Sequence, residues 1–543
     1  MYNRRYSILA STALTLILTV PLVSVAVSNS QFGAVPMALP PVEQALPETD
    51  AATATPANET PSISNGAAPA AAAPAEQTTA PHPLASLDPA DRGVADSIRD
   101  FLATRAGNLF TSKKERAAVE SFYQNRNFAP LWLEKGVQNA RAGSVIARLK
   151  GADTEGLEPS EYQTPNFAGL GPDALAEAEV RLTRAVLTFA RHVQAGRFSY
   201  TRVSRNNIEL PQAAPEPADI LSNMADATDA GKALDLYGPQ NEPYRRLKAM
   251  LAELRSKSAG AKGETSRQIE TIVANMERWR WYPRDLGNSH VLVNQPDFTL
   301  KVMHNGGQVW TTRVVIGKPS MATPLLSETM KFITVNPTWT VPQSIVRNEY
   351  LPALAQDPTV LERMGLRVSY NGGGVTITQP PGAGNALGRV RFNFNNRFSV
   401  FQHDTPDKGL FAHEVRAYSH GCMRVQDPAK YAEVLLNIAR PNEHWTAEKI
   451  QRMYGGSEQN LQIQPTVVWV HLTYQTAFVD NAGKLQMRRD IYNLDARTLA
   501  AIKSERGNLE PAPERKREEI AGSSPRKPAP PARTGALPQP IYQ

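Results

Sequence analysis

The sequence predicts a multidomain α+β protein, with a helical first half joined to a mostly β catalytic unit that carries an insertion. Three observations predict it. Apolar residues recur at helical spacing up to Trp281, short strands separated by Gly and Asn turns begin after Tyr282 and Pro283, and both chain ends have compositions that build no core. The 543 residues are 41% hydrophobic and 20% charged, which is material for more than one buried core.

Taken in order, Arg4 and Arg5 precede an apolar stretch from Ile8 to Val27 that is diluted by Ser11, Thr12, Thr15, Thr19, Pro21 and Ser24. Residues 1–30 therefore read as a signal peptide or as an uncleaved membrane anchor, since the stretch approaches the ~20 residues that a bilayer span needs. Either form carries the remainder out of the cytoplasm. Residues 31–90 are Ala, Pro, Thr and Ser with almost no aromatics, a disordered linker. Residues 511–543 read as a disordered, Pro-rich basic tail with Arg515, Lys516, Arg517, Arg526, Lys527 and Arg533. Residues 1–30 and 511–543 carry +2 and +3 and the linker −6, so the net charge of +7 is spread over the long folded middle rather than concentrated as in a nucleic-acid binder.

Residues 91–265 are expected to form a helical scaffold domain. Helices are predicted over 91–104, 113–127, 139–150, 172–194, 217–228 and 243–255, with Gly196 closing the fourth, and a further one over 266–281 leads into the next unit. This half contains no His-Glu-x-x-His, no glycine-rich phosphate loop and no carboxylates at metal spacing, so it reads as a scaffold or docking unit. Residues 266–495 are expected to form the catalytic domain. Strands are predicted over 290–294, 299–303 and 309–316 around the Asn305-Gly306-Gly307 turn, then over 331–335, 366–370, 375–378, 389–393, 399–403 and 466–473. Helices are predicted over 343–355, 428–438 and 446–453.

The chemistry concentrates in one stretch. His403 and Asp404 are followed, after a gap of fifteen residues beyond His403, by Ser419-His420-Gly421-Cys422-Met423-Arg424. Cys422 is the single cysteine, which excludes an internal disulfide and any Cys-x-x-Cys zinc or redox pair. A thiol attacks as thiolate, and an imidazole beside it supplies the base. His403, at the end of a predicted strand, reaches a sulfur on a neighbouring loop more readily than His420 two residues away, so His403 is assigned as base and His420 as loop organiser; His413 is a third candidate. Gly421 lets the chain turn sharply and aim its amide and that of Cys422 at one point, an oxyanion hole. Arg424 offers a fixed cation for a substrate carboxylate or for carbonyls of its own loop.

The His403 to Ser419-His-Gly-Cys-Met-Arg424 pattern resembles the catalytic domain of YkuD-type L,D-transpeptidases. The segments 315–319, 323–324, 335–342 and 381–388 are similar to the large periplasmic subgroup, and the helical half, with Leu236-Tyr237 and Tyr244 to Leu247, resembles its scaffold domain. The resemblance covers roughly 91–494. It implies a periplasmic peptidoglycan transpeptidase without a cofactor or metal, making 3-3 cross-links in cell wall biogenesis. Cys422 would attack the third residue of a tetrapeptide donor stem and a diaminopimelate amine would accept the acyl group, with amines of envelope proteins as another acceptor. It implies His403 as proton donor and acceptor, and Ser419, His420 and Gly421 as the nucleophile loop. Arg424, Ser419, Trp339 and Asp404 are set beside the substrate, and residues 344–385 resemble a capping subdomain. No peptidoglycan-binding module fits between Tyr244 and Met276. Two rival readings keep part of this: an L,D-carboxypeptidase that uses water, and a non-catalytic wall-binding scaffold.

Overall fold

The computed structural model describes residues 87–257, 263–371, 374–463 and 467–504. The signal or anchor at 1–30, the tail at 511–543 and the linker up to residue 86 lie outside the described residues. The end of the expected linker is already helical, because Asp88 caps the first helix through the Ala90 amide at 2.9 Å.

The helical half runs α1 (Pro89–Thr104), α2 (Lys113–Asn125), a two-residue hairpin β1 (Leu133–Glu134) and β2 (Val137–Gln138), α3 (Ala140–Lys150), α4 (Pro172–Ala195), β3 (Ile208–Glu209), α5 (Pro217–Asp226), α6 (Ala230–Asp235), α7 (Glu242–Lys257) and α8 (Glu264–Trp279). Ser112 and Asn139 cap α2 and α3 through the Glu115 and Ala142 amides. The central α4 buries residues on most of its circumference, which is why its sequence is apolar well beyond one stripe. One carboxylate serves this core: Glu179 accepts the amides of Leu131 and Trp132 and the Tyr123 hydroxyl, fixing the hairpin against α4.

The second half runs β4 (Ser289–Asn294), β5 (Thr299–His304), β6 (Gly307–Gly317) and β7 (Leu325–Val335). An inserted subdomain follows with β8 (Trp339–Thr340), α9 (Gln343–Ile345), α10 (Leu351–Gln356), α11 (Val360–Arg363), β9 (Arg367–Asn371) and β10 (Gly374–Gln379). Then come β11 (Val390–Phe394), β12 (Gln402–His403), β13 (Ala417–Ser419), β14 (Met423–Val425), α12 (Pro428–Ala439), α13 (Ala447–Gln451), β15 (Gln459–Gln462), β16 (Trp469–Thr473), β17 (Ala477–Val479), β18 (Leu485–Met487) and α14 (Leu494–Ser504).

The main sheet is ordered β11-β12-β14-β6-β5-β4-β16-β7-β15, and β11 also pairs with β7, so the order returns on itself and leaves few open edges. The insertion has its own three-stranded sheet, β8-β10-β9, and its own small core of Val341, Ile345, Val346, Leu361, Leu366 and Ile377. The expected helix over 343–355 is interrupted by a wider π turn at Val346–Tyr350. The expected strand over 399–403 shrinks to Gln402–His403, because the Asn396 carboxamide holds the Phe398 and Val400 amides in a turn and Ser399 adopts φ +54°.

The two large apolar cores do not divide the chain at one point. The helical core takes residues from Val94 to Tyr237, whereas Phe198, Tyr200, Val203, Ile208 and Leu210 and the buried face of α7 belong to the core of the β half. The strand β3 pairs in parallel with β7, so part of the helical half is stitched into the catalytic sheet.

Candidate active site

The nucleophile loop lies between β13 and β14. Ser419 Oγ donates to the Cys422 carbonyl at 2.5 Å and accepts the Gly421 amide at 3.1 Å. Gly421 has φ +120°, a left-handed backbone that a side chain would strain. The Gly421 carbonyl accepts Thr323 Oγ1 at 2.8 Å, Thr323 Oγ1 accepts the Gly317 amide at 2.9 Å, and the Tyr492 hydroxyl donates to the Gly317 carbonyl at 2.6 Å. Gly317 must be glycine for this braid, since a Cβ there would overlap the Met321 carbonyl. The loop is thereby anchored to β6 and to the segment before α14.

Register brings His403 beside the loop that holds Cys422. The strand β12 is parallel to β14, with Gln402 opposite Met423 and His403 opposite Arg424, and antiparallel to β11, with Arg391 opposite His403. Opposed residues share a face of the sheet, as do residues two apart along a strand. Cys422 immediately precedes β14, next to Met423 and Arg424, which lie opposite Gln402 and His403, and both Arg424 and Arg391 act on its sulfur. The Phe401 amide hydrogen-bonds the Cys422 sulfur, and the Phe401 carbonyl accepts the Met423 amide at 3.1 Å.

His403 Nδ1 lies 2.5 Å from the Asp404 carbonyl, an atom that only accepts, so Nδ1 carries the proton and Nε2 presents its lone pair. Burial first, then the Arg424 guanidinium, pushes His403 down to about 4. Burial pushes the Cys422 thiol up to about 11 against the opposing pull of the Phe401 amide, Arg424 and Arg391. The resting pair is therefore a neutral thiol and a neutral imidazole, with two guanidinium groups beside it.

The other expected site residues divide into those facing this cluster and those holding it. Arg424 is half-buried on the reacting face. Asp404 and Ser419 were expected to meet substrate, and their side chains are spent elsewhere. The Asp404 carboxylate accepts the amides of Arg389 and Thr405 at 2.8 and 2.7 Å and the Lys408 ammonium, so it fixes the turn whose carbonyl orients His403. Ser419 closes the loop as described. The Gly421 amide, expected as an oxyanion donor, is occupied by Ser419 Oγ in this arrangement. His420 is a loop organiser of a particular kind: its Nε2 meets Glu349 Oε1 at 2.7 Å, which ties the loop to the π turn of the insertion. Trp339 is half-buried in β8, edge-on to Tyr350 and packed on the insertion's core. His413 is exposed against Tyr418, apart from the cluster.

Sequence reading missed Arg391, Thr323, Tyr492 and Glu349. Only Arg391 had a usable signal, because Arg391 and Asn393 alternate with Val390, Phe392 and Phe394 in a strand already expected to pass the site. Among the described residues no group of His, Cys, Asp or Glu is placed to hold a metal ion, and no helix is long and apolar enough to cross a membrane.

Residues 288–448 match the YkuD family, described as the L,D-transpeptidase catalytic domain, and residues 117–251 match the Scaffold domain. The chain therefore carries an L,D-transpeptidase catalytic domain of the YkuD type and a Scaffold domain. A candidate L,D-transpeptidase of Haemophilus influenzae is 25% identical over 400 residues, spanning 69% of this chain and 77% of that protein. Among solved structures, an L,D-transpeptidase from Mycobacterium smegmatis is 12% identical, covering 34% of this chain and 58% of its own, with a TM-score of 0.19. An Enterococcus faecium L,D-transpeptidase is 10% identical, covering 50% of this chain and 97% of its own, with a TM-score of 0.17. The chain thus spans under three fifths of the mycobacterial structure. The matched catalytic domain contains Arg391, His403 and the whole nucleophile loop, and the insertion lies within its limits.

Proposed function

We propose that the protein is a peptidoglycan L,D-transpeptidase of the periplasm that forms 3-3 cross-links through a cysteine acyl-enzyme. The observation that carries this reading is the pairing of β12 with β14, which sets His403 opposite Arg424 and beside the loop that holds Cys422, with Nδ1 of His403 committed to a carbonyl and Nε2 free to accept a proton. In the forward step Nε2 takes the thiol proton as Sγ attacks the carbonyl carbon of the third stem residue. The tetrahedral intermediate collapses, the C–N bond to the terminal D-alanine breaks, and the proton on Nε2 passes to the departing amine. A diaminopimelate amine then attacks the thioester, gives its proton to Nε2, and the thiolate leaves and is reprotonated. Arg391 and Arg424 favour the transient anions of both steps, while burial holds the resting thiol neutral.

The His420–Glu349 contact keeps the insertion beside the nucleophile loop, which favours an amine acceptor over bulk water. Incubation of the pure protein with tetrapeptide muropeptides, followed by mass spectrometry, should give cross-linked dimers. Tripeptide alone would identify a carboxypeptidase, and unchanged substrate together with an unmodified Cys422 would leave only a wall-binding scaffold.

A further inference from the structure

Three residues form a row across the sheet: Arg391 on β11, His403 on β12 and Arg424 on β14, each directly opposite the next. The two guanidinium groups flank a neutral imidazole. Neither is in an ion pair with a carboxylate among the described residues, and Nε of Arg391 is buried without a hydrogen-bond partner. The nearest acidic influences are peripheral. Glu458, which attracts Arg391, is exposed and accepts the Thr338 amide at 2.7 Å, and Asp407, which attracts Arg424, is also exposed. Arg391 is held in place by its stem and by the Phe401 ring, 5.4 Å from its guanidinium carbon. Both guanidinium groups are partly desolvated and both disfavour the protonated form of His403, an arrangement that an anion beside them favours.

We infer that Arg391 is a specificity-determining residue that, beside Arg424, receives a carboxylate of the donor stem peptide. This rests on the proposed transpeptidase reading and adds to it a selection by charge. A fork of N–H donors suits a planar carboxylate, and the row places it one strand away from the base, close to the carbonyl under attack. Two donor carboxylates share this chemistry: the one on the side chain of the third residue and the terminal one of the leaving residue.

The test compares three tetrapeptide muropeptides, one with both carboxylates free, one amidated on the third residue's side chain and one amidated at the C-terminus. Acyl-enzyme formation is followed with the wild type, R391Q and R391K. Amidation of the recognised carboxylate should lower kcat/KM of the wild type about 10–100-fold, the range of a charged hydrogen-bonded contact. The free-to-amidated ratio should collapse toward one in R391Q and be partly restored in R391K, and the substrate that shows the collapse identifies the carboxylate. A ratio that stays the same in R391Q while all rates fall together would overturn the inference, since Arg391 would then serve only the reacting sulfur. Equal rates of the wild type on all three substrates would also overturn it.

Equilibrium binding of the same three peptides to C422A separates the two levels of interpretation. Binding that depends on Arg391, without turnover by the wild type, would refute the transpeptidase reading and keep the carboxylate site. Turnover indifferent to charge would do the reverse, and absence of both binding and turnover would refute both. Should R391Q lose its cooperative melt, the amidated substrates on the wild type and R391K decide the matter.

Discussion

Two clusters of arginine in this molecule are built in opposite ways. At the junction of the helical and β halves, Arg280 is fully buried and donates to Glu277 Oε2 at 2.8 Å, to the Glu155 carbonyl and to the Tyr244 hydroxyl at 3.0 Å. The same Glu277 accepts the Arg197 amide at 2.7 Å, and Glu155 accepts Tyr244, Lys248 and Arg148. Gly196, which ends α4 with φ +91°, permits this closeness, since a Cβ would fall 2.6 Å from Glu277 Oε1. In the active-site row, Arg391 and Arg424 form no ion pair with a carboxylate among the described residues, and Glu458 and Asp407 act on them only from the periphery. The paired cluster closes on itself at the junction, while the unpaired row leaves its charge open to the donor carboxylate inferred above.

The largest effect should come from the unpaired cluster. Replacing His403 with Ala removes the imidazole proposed to take the Cys422 proton, and acyl-enzyme formation at neutral pH should fall by a factor of about 10²–10⁴. Intact-mass spectrometry during single turnover measures it, and partial recovery at high pH is expected as hydroxide takes over thiol ionisation. An unaltered rate would place the proton transfer elsewhere.

The junction should answer in stability rather than rate. Glu277→Ala leaves Arg280 buried with its carboxylate partner gone and should cost about 3–5 kcal/mol of folding stability. Urea unfolding gives the loss, and the acylation rate per folded molecule should stay within a few-fold of wild type. If acylation collapsed while the melt was kept, the junction would be part of the catalytic apparatus and the contrast between the clusters would fail.

The pH profile sharpens the same contrast. With His403 pushed down to about 4, the acid limb of kcat/KM should lie near pH 4 rather than near the ordinary imidazole value. The unfolded chain binds a proton on this group that the folded chain refuses. Its contribution to stability is therefore complete above about pH 6.5 and is lost as pH falls toward 4. With the thiol pushed up to about 11, about one molecule in 10⁴ holds a thiolate at pH 7 without substrate, so alkylation by a small neutral electrophile should keep rising up to about pH 11. An alkylation plateau near pH 8.5 would show an ordinary thiol and would refute the neutral resting pair.

Most helices and the outer strands were legible, because their apolar periodicity and caps are local: α4 ends at the expected Gly196 and β5 and β6 flank the expected Asn305 turn. The proposed nucleophile and base were singled out because one cysteine and one spaced histidine leave few alternatives. What escaped depends on distant pairing. The strands β13 and β14 are three residues each and exist through their ladders to β6 and β12, with no periodicity of their own. Likewise Asp404 and Ser419 carry residue types suited to binding substrate, and only the partners of their oxygens, Arg389, Thr405 and Lys408 in one case and Gly421 and Cys422 in the other, reveal a positioning role. The reach of Tyr492 to Gly317 spans 175 positions and has no sequence signature.

The smallest effect concerns a contact that lies between the two clusters in character. His420 and Glu349 are paired, yet both are exposed to solvent, with side chains 34% and 42% accessible, so screening leaves the pair worth ~0–1 kcal/mol. Glu349→Gln keeps a hydrogen-bond acceptor at the same reach and removes the charge, so global stability should hardly move. The pair joins the nucleophile loop to the π turn of the insertion, and loosening it should admit water to the thioester more often. The ratio of tripeptide to cross-linked dimer should therefore rise about two- to five-fold, with the rate of acyl-enzyme formation little changed, because acylation precedes the choice between water and amine. Product analysis at equal acylation measures the ratio. A ratio identical in the two proteins would show that the Glu349 charge plays no part in holding the insertion beside the loop.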